Sequence, residues 1–282
     1  MSEGLWTGRV VLVTGAARGV GRGTAEYLGR LGASVALLDR RADEVSAVAE
    51  ELRAQGVRCE SFGADQTDDE AVEQAIAGVI GAFGRIDGLF ANAGLAVMRP
   101  FMEISLKEWR KVIDVNLTGT FLVVRQVVQT MIDLGIPGSI VMTGSVSGMH
   151  PMNQTAHYAS AKAGVIAFGR ELSRELGSYR IRVNLVSPGV VRTEATEFLI
   201  TQPAISTMLQ QVIPLGSWCM PKDIAQAVAF LLGPQSAYIT GAVLPVAGGN
   251  EVIEWWPIDY STPGPPDWEK LRPGSSTSGE TL

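Results

Sequence analysis

The feature that most constrains this chain is the alternation of short β-branched runs with amphipathic helical stretches. Residues 10–13 read as a strand, followed by a helix over 21–31, a strand over 34–39 and a helix over 43–55. The pattern continues with strands at 58–62, 86–91, 139–143, 181–186 and 242–246, and helices at 68–83, 106–134, 158–178 and 221–232. Such an order closes by right-handed crossovers into a parallel sheet with both faces covered, so the spacing predicts an α/β chain with a doubly wound parallel sheet. No repeat and no linker appears before residue 250, which makes residues 1–250 one domain. Residues 251–282 read as an appended tail: Trp255, Trp256, Tyr260 and Trp268 stand among prolines, and residues 273–279 are rich in Ser and Gly. The tryptophans are expected to dock on the protein and residues 273–282 to stay mobile.

The first strand runs into Thr14-Gly15-Ala16-Ala17-Arg18-Gly19-Val20-Gly21 and then into a helix. Glycines there permit a tight turn and close approach of a pyrophosphate, and the free N–H groups of a helix start favour negative charge. A plain strand-to-helix turn would look similar. The acidic residue ending the second strand, Asp39, tips the reading toward a dinucleotide site, because a carboxylate there can accept hydrogen bonds from ribose hydroxyls. A 2′-phosphate would meet a like charge, a repulsion of roughly 4 kcal/mol at about 4 Å and an effective dielectric near 20. The expected cofactor is therefore NAD rather than NADP, although Arg18, Arg40 and Arg41 lie close enough in sequence to rescue NADP, and Arg41 reads equally as a solvated loop residue.

Composition removes other classes. A net charge of -6 argues against a polyanion-binding surface, so nucleic acid is not an expected partner. Cys59 and Cys219 show neither a disulfide framework nor metal spacing, and both read as reduced thiols. Two histidines without a carboxylate cluster predict no metal. The first residues are neither basic nor strongly apolar and no long apolar run follows, so no membrane association and a cytoplasmic protein are expected.

The spacing TGxxxGxG, followed in order by Asn92-Ala93-Gly94, Asn116, Ser145, Tyr158-x-x-x-Lys162 and Pro188-Gly189, resembles the short-chain dehydrogenase/reductase family over residues 7–250. The resemblance implies a Rossmann fold and hydride transfer between a nicotinamide cofactor and a secondary alcohol or ketone, in a homotetramer or homodimer. It implies that Gly15, Arg18, Gly19, Val20, Gly21 and Arg40 border the cofactor's phosphates and adenosine. Asp65, with Gln66 beside it, is placed near the adenine, although Asp65 could equally cap the helix beginning near Asp68. Asn92, Ala93 and Gly94 would line the adenine ribose; many members carry a second asparagine where this chain has Ala91. Val191 and Thr193, after Pro188-Gly189, would face the nicotinamide carboxamide, where a plain proline turn is the alternative.

Removing a hydride from an alcohol requires loss of the hydroxyl proton, and a free tyrosine, with a pKa of about 10, is a poor base at neutral pH. Lys162 falls four residues after Tyr158 on a helix, on the same face, where its ammonium would favour the phenolate. Resemblance assigns Lys162 a second task, holding the nicotinamide ribose. Ser145, 13 residues before Tyr158, can hydrogen-bond the substrate oxygen; Ser147 is the alternative, two residues out of the family's spacing. Asn116 reads as a mid-helix amide that in the family helps to bind a water continuing the proton path.

For the substrate, Met149, His150, Met152 and Gln154 are lining candidates, and His157 reads as structural. Residues 194–220 hold Phe198, Leu199, Ile200, Met208, Leu209, Val212 and Ile213 at the family's variable lid, which predicts a partly apolar substrate or, equally, helix packing alone. Phe121, Val124, Val128, Ala163, Val165 and Phe168 give two helices more than one apolar face, which suggests subunit contacts. Two rival functions remain: an NADPH-dependent 3-oxoacyl-carrier reductase, and a nucleotide-binding regulator that has lost turnover.

Overall fold

The computed structural model describes residues 4–250, except for the side chains of residues 199, 204, 205, 208 and 210. Seven strands make one parallel sheet in the order β3-β2-β1-β4-β5-β6-β7: β1 Val10–Thr14, β2 Ser34–Asp39, β3 Cys59–Gly63, β4 Gly88–Ala91, β5 Ser139–Thr143, β6 Arg182–Pro188 and β7 Val243–Val246. The central strands are buried along their whole length, as a sheet covered on both faces demands.

Side chains alternate between two cores with the period of a strand. Val11, Val13, Val35 and Leu37 pack under helices α1 (Gly19–Arg30), α2 (Ala42–Ala54) and α9 (Pro221–Leu232), whereas Leu12, Ala36 and Leu38 face α3 (Asp69–Phe83), α5 (Gly119–Asp133) and α6 (Ala156–Glu175). Strand order reverses between β1 and β4, which opens a crevice at the C-terminal ends of both strands, the usual ligand position in such sheets.

One predicted helix is not α-helical throughout. Residues 106–134 divide into α4 (Leu106–Ile113), a π-helical turn over Asp114–Thr118, and α5. The extra residue of a π turn is a recurrent mark of functional sites. The helix predicted over 158–178 starts earlier, at Ala156, and ends in a 3-10 turn, Leu176–Tyr179. Between β6 and α9 the chain makes two short helices, α7 (Glu197–Ile200) and α8 (Pro203–Val212), the second with Pro203 at its start, where proline's missing N–H costs nothing. The tail and its tryptophans lie outside the described residues.

The predicted excess of apolar helix faces shrinks in the structure. Val124 and Val165 belong to the core and Val128 packs on it. Phe121 and Ala163 remain exposed, with Phe121 edge-to-face on Phe168 at 6.1 Å. No helix of the described residues is long and apolar enough to cross a membrane.

Candidate active site

The crevice is pinned by Thr14, whose Oγ1 accepts hydrogen bonds from the backbone N–H groups of Asn92 and Ala93 at 2.9 Å each. Asn92 Nδ2 donates back to the Thr14 carbonyl at 3.1 Å. The turn after β1 needs Gly15 at φ 67°, and it needs Gly21 for space: a Cβ on Gly21 would stand 2.1 Å from the Gly15 carbonyl oxygen. A cavity of about 410 Å³ lies against this turn. Of the residues expected at a cofactor, Gly15, Arg18, Gly19, Val20, Asp39, Arg40, Asp65, Gln66, Asn92, Ala93, Gly94 and Thr193 line it. A volume in the range of ligand pockets, a glycine cradle without Cβ atoms and a buried carboxylate fit the adenosine and pyrophosphate of a dinucleotide.

Asp39 is buried, and its carboxylate is already engaged. Oδ2 accepts from the Ala17 N–H at 3.1 Å; Oδ1 accepts from the Arg41 N–H at 3.0 Å and from Arg41 Nε at 3.3 Å. Arg41 is thus no solvated loop residue: it bridges Asp39 and, at 3.5 Å, Glu44. Arg18 and Arg40 are exposed at the cavity rim. Asp65 is not the helix cap either. Asp68 caps α3 by accepting from the Ala71 N–H at 3.1 Å, while Asp65 Oδ1 accepts from the Thr67 N–H at 2.9 Å. Gln66 is buried and donates from Nε2 to the carbonyls of Ala93 and Val115.

Six other candidates do not border the cavity, Pro188 among them at the end of β6. Gly21 lies beneath the turn. Gly189 packs on Ala247, a Cβ there meeting it at 3.0 Å, and Val191, after Pro188-Gly189, is buried and bridged to Cys219. Tyr158 and Lys162 are set further along, on α6. Residues 194–196, read from the sequence only as the start of the lid, line the cavity beside Thr193.

Around α6 four side chains converge. Lys162 is buried and donates from Nζ to the Thr143 carbonyl at 2.8 Å; Nζ stands 5.8 Å from the centre of the Tyr158 ring. Burial lowers the Lys162 pKa to about 8. Burial also pushes the Tyr158 phenol up, and a side-chain hydrogen bond with Ser145 pulls it the other way. Ser145 is held at the start of the 3-10 turn Val146–Gly148. Asn116 sits fully buried in the π turn, where Nδ2 donates to the carbonyls of Leu95 and Val112 and Oδ1 accepts from the Leu95 N–H at 3.3 Å. Gly94 fills the narrow gap beside it: a Cβ there would lie 2.6 Å from Asn116 Oδ1 and 3.6 Å from Lys162 Nζ. Sequence spacing singled out neither Thr143 nor Leu95, because their contributions are main-chain groups that no side chain advertises.

The substrate candidates are less coherent. Met149 packs against the core, and the Met152 sulfur faces Ser147. Gln154 adopts φ 64° on an exposed turn whose carbonyl accepts from the Arg99 N–H, and His150 is half-buried. His157 is fully buried, with neither ring nitrogen paired among the described residues. In the lid, Ile200, Leu209, Val212 and Ile213 are buried, whereas Phe198 is exposed.

Residues 15–251 match a family model described as enoyl-(acyl carrier protein) reductase. The chain is 35% identical to a 2,5-dichloro-2,5-cyclohexadiene-1,4-diol dehydrogenase of Sphingobium indicum, covering 88% of this chain and 98% of the other. It is 36% identical to a 3-oxoacyl-[acyl-carrier-protein] reductase of Aquifex aeolicus, over 86% and 97%. Among solved structures, an NAD+-bound xylitol dehydrogenase superposes with a TM-score of 0.83 at 32% identity, over 86% and 99%. A protein of Beutenbergia cavernae with NADP bound at low occupancy superposes with a TM-score of 0.84 at 32% identity, over 89% and 100%.

Proposed function

This chain belongs to the short-chain dehydrogenase/reductase family, and from that premise we propose that it moves a hydride between NAD(H) and a secondary alcohol or its ketone, with Tyr158 as the acid/base. The observation that carries the proposal is the convergence of Tyr158, Ser145 and Lys162 near the crevice at the C-terminal ends of β1, β4 and β5.

In oxidation, Tyr158 takes the alcohol's hydroxyl proton while Ser145 hydrogen-bonds the same oxygen. Burial alone pushes the phenol the wrong way for a base, so the site depends on positive charge beside it. The Lys162 ammonium, at 5.8 Å from the ring centre, is worth about 3 kcal/mol to a phenolate at an effective dielectric near 20, or roughly two pK units. With a pKa of about 8, Lys162 still carries its proton at neutral pH. A bound nicotinamide dinucleotide supplies the hydride acceptor and, when oxidised, a further positive charge. Asn116 holds Leu95 against α4 and so keeps the wall near Gly94 and Lys162 in place. In reduction the same proton returns from Tyr158 to the carbonyl oxygen.

The buried carboxylate of Asp39 favours NAD: a 2′-phosphate would be set against it, and Arg41, the cation nearest to it, is already engaged. Residues 1–250 form the catalytic unit and 251–282 an appendage to it. The protein works as a homotetramer or homodimer in the cytoplasm. A second reading, reduction of carrier-bound 3-oxoacyl groups with NADPH, draws on the similarity to the Aquifex aeolicus reductase.

One panel separates the readings. NAD+ reduction by D-threitol, xylitol, cyclohexanol and 1-phenylethanol is read as NADH absorbance, beside NADPH oxidation by an acetoacetyl thioester. Alcohol oxidation with NAD+ is expected, lost by about 10²–10⁴-fold in Tyr158→Phe with NADH affinity unchanged. Turnover of the thioester alone favours the second reading, and a Tyr158→Phe enzyme with full activity removes Tyr158 from the chemistry.

A further inference from the structure

Two segments that line the cavity, one between β4 and α4 and one between β6 and α9, each carry exposed apolar side chains just beyond it. Leu95 and Ala96 border the cavity, and the chain that continues from them bears Met98, Phe101 and Met102, all exposed, Phe101 by 71%. Thr193 to Thr196 border it from the second segment, and Phe198, on α7, is 60% exposed. The first segment is tied to the catalytic helix, since the Arg99 N–H donates at 2.7 Å to the carbonyl of Gln154, in the turn that leads into α6 and Tyr158. Clustered apolar surface is costly in water and marks a place of interaction.

The charges of the same segments set a second condition. Arg99 is engaged by Glu108 at 3.4 Å and Arg192 by Glu197 at 2.8 Å, so neither cation is free for an anionic ligand. Glu103 and Glu194 are exposed and have no ion-pair partner among the described residues. The two segments therefore offer apolar surface with an excess of negative charge. A carboxylate or phosphate on a substrate would lose water against the phenylalanines and meet like charge from the glutamates. A polyol would gain little from apolar surface.

We propose that the Tyr158 site takes an uncharged, mainly apolar secondary alcohol or ketone, whose chain or ring beyond the reacting carbon rests between Met98, Phe101 and Met102 on one segment and Phe198 on the other. This names the substrate class of the hydride-transfer reading and rests on it. Sugar acids and carrier-bound thioesters, with their carboxylate or phosphate, fall outside the class.

NAD+ reduction by 2-butanol, 2-hexanol and 2-octanol tests it, beside xylitol and 7-hydroxyoctanoate, which is 2-octanol with a carboxylate in place of its far methyl group. kcat/KM is expected to rise about two- to fourfold per methylene. It should be at least about tenfold lower for 7-hydroxyoctanoate than for 2-octanol. Phe101→Ser combined with Phe198→Ser should lower the ratio of 2-octanol to 2-butanol by at least about threefold. Glu103→Gln combined with Glu194→Gln should raise the ratio of 7-hydroxyoctanoate to 2-octanol by at least about threefold, a ratio in which any effect on the cofactor cancels. A flat length series, 7-hydroxyoctanoate equal to 2-octanol, xylitol as the best substrate, or an unchanged ratio in either double variant overturns the proposal. If the phenylalanine variant keeps its ratio and changes mass in light scattering, a second copy of the chain covers these side chains instead. Failure of the hydride-transfer reading looks different: no alcohol in the series is oxidised, or oxidation survives Tyr158→Phe. Calorimetric titration of 2-octanone and 7-oxooctanoate into the NADH-loaded Tyr158→Phe chain then decides the class by binding alone, and equal affinity for the two overturns it.

Discussion

Gly21→Ala should damage stability and cofactor binding together, for a reason that concerns one methyl group. The new Cβ would lie 2.1 Å from the Gly15 carbonyl oxygen and 2.7 Å from its carbon, both main-chain atoms that cannot rotate away. The turn itself must move, and Gly15 is already held at φ 67°. Overpacking of this kind costs about 1–3 kcal/mol, more than the roughly 0.5–1 kcal/mol that replacing a helix-interior glycine can return. For a domain of this size, each kcal/mol lowers Tm by about 2–4 °C, so a net cost of up to about 2.5 kcal/mol lowers it by as much as about 10 °C. Displacing the turn also displaces the N–H groups offered to a pyrophosphate, and NADH should bind at least about tenfold more weakly, a loss of about 1.4 kcal/mol. Gly81→Ala is the control: on α3 a Cβ there meets nothing within 4 Å, and the change should stabilise by about 0.5–1 kcal/mol. Scanning calorimetry and NADH fluorescence titration read both. If Gly21→Ala melts no lower than wild type and binds NADH within twofold of it, the close-approach argument is wrong.

The depressed pKa of Lys162 sets a pH signature: its unfolded state holds the proton more tightly, so burial destabilises the folded chain most below pH 8, and the penalty fades as pH rises toward 10.5. Against Lys162→Met, wild type should gain about 3 kcal/mol in relative stability between pH 7 and pH 10.5, as read by urea denaturation; a constant difference would refute a buried, charged lysine. Asp39→Asn removes the charge facing a 2′-phosphate, and the ratio of NADPH to NADH affinity should rise by at least about tenfold, measured by fluorescence; no change would place the selectivity elsewhere. Light scattering behind size exclusion should report a tetramer or dimer, and a monomer would refute the subunit contacts read from the exposed faces around Phe121 and Ala163.

What could be read from the sequence tracks the kind of interaction involved. The parallel sheet, though not its strand order, followed from alternation because a buried parallel strand writes itself as a run such as Val10–Thr14, and every strand found lies where one was expected, to within two residues at either end. Boundaries slipped where pairing rather than composition ends a strand: β4 begins only at Gly88, the residue that meets Val11 on β1. The π turn in the 106–134 helix was invisible because nothing in Asp114-Val115-Asn116 forbids an α turn; it is seen only once Asn116 reaches across to both the N–H and the carbonyl of Leu95, 21 residues earlier. Arg41 was misjudged for a related reason, since an arginine beside a strand end looks solvated until the carboxylate of Asp39 is turned back toward it.

The same distinction separates the two serines. Spacing alone could rank Ser145 above Ser147, but only the folded loop shows that the Ser147 N–H donates to Ser145 Oγ, at 3.2 Å, and so fixes where that hydroxyl sits. Motifs name the groups that touch the reacting atoms; the groups that aim them are chosen by packing, and a sequence read without its fold has no register for those.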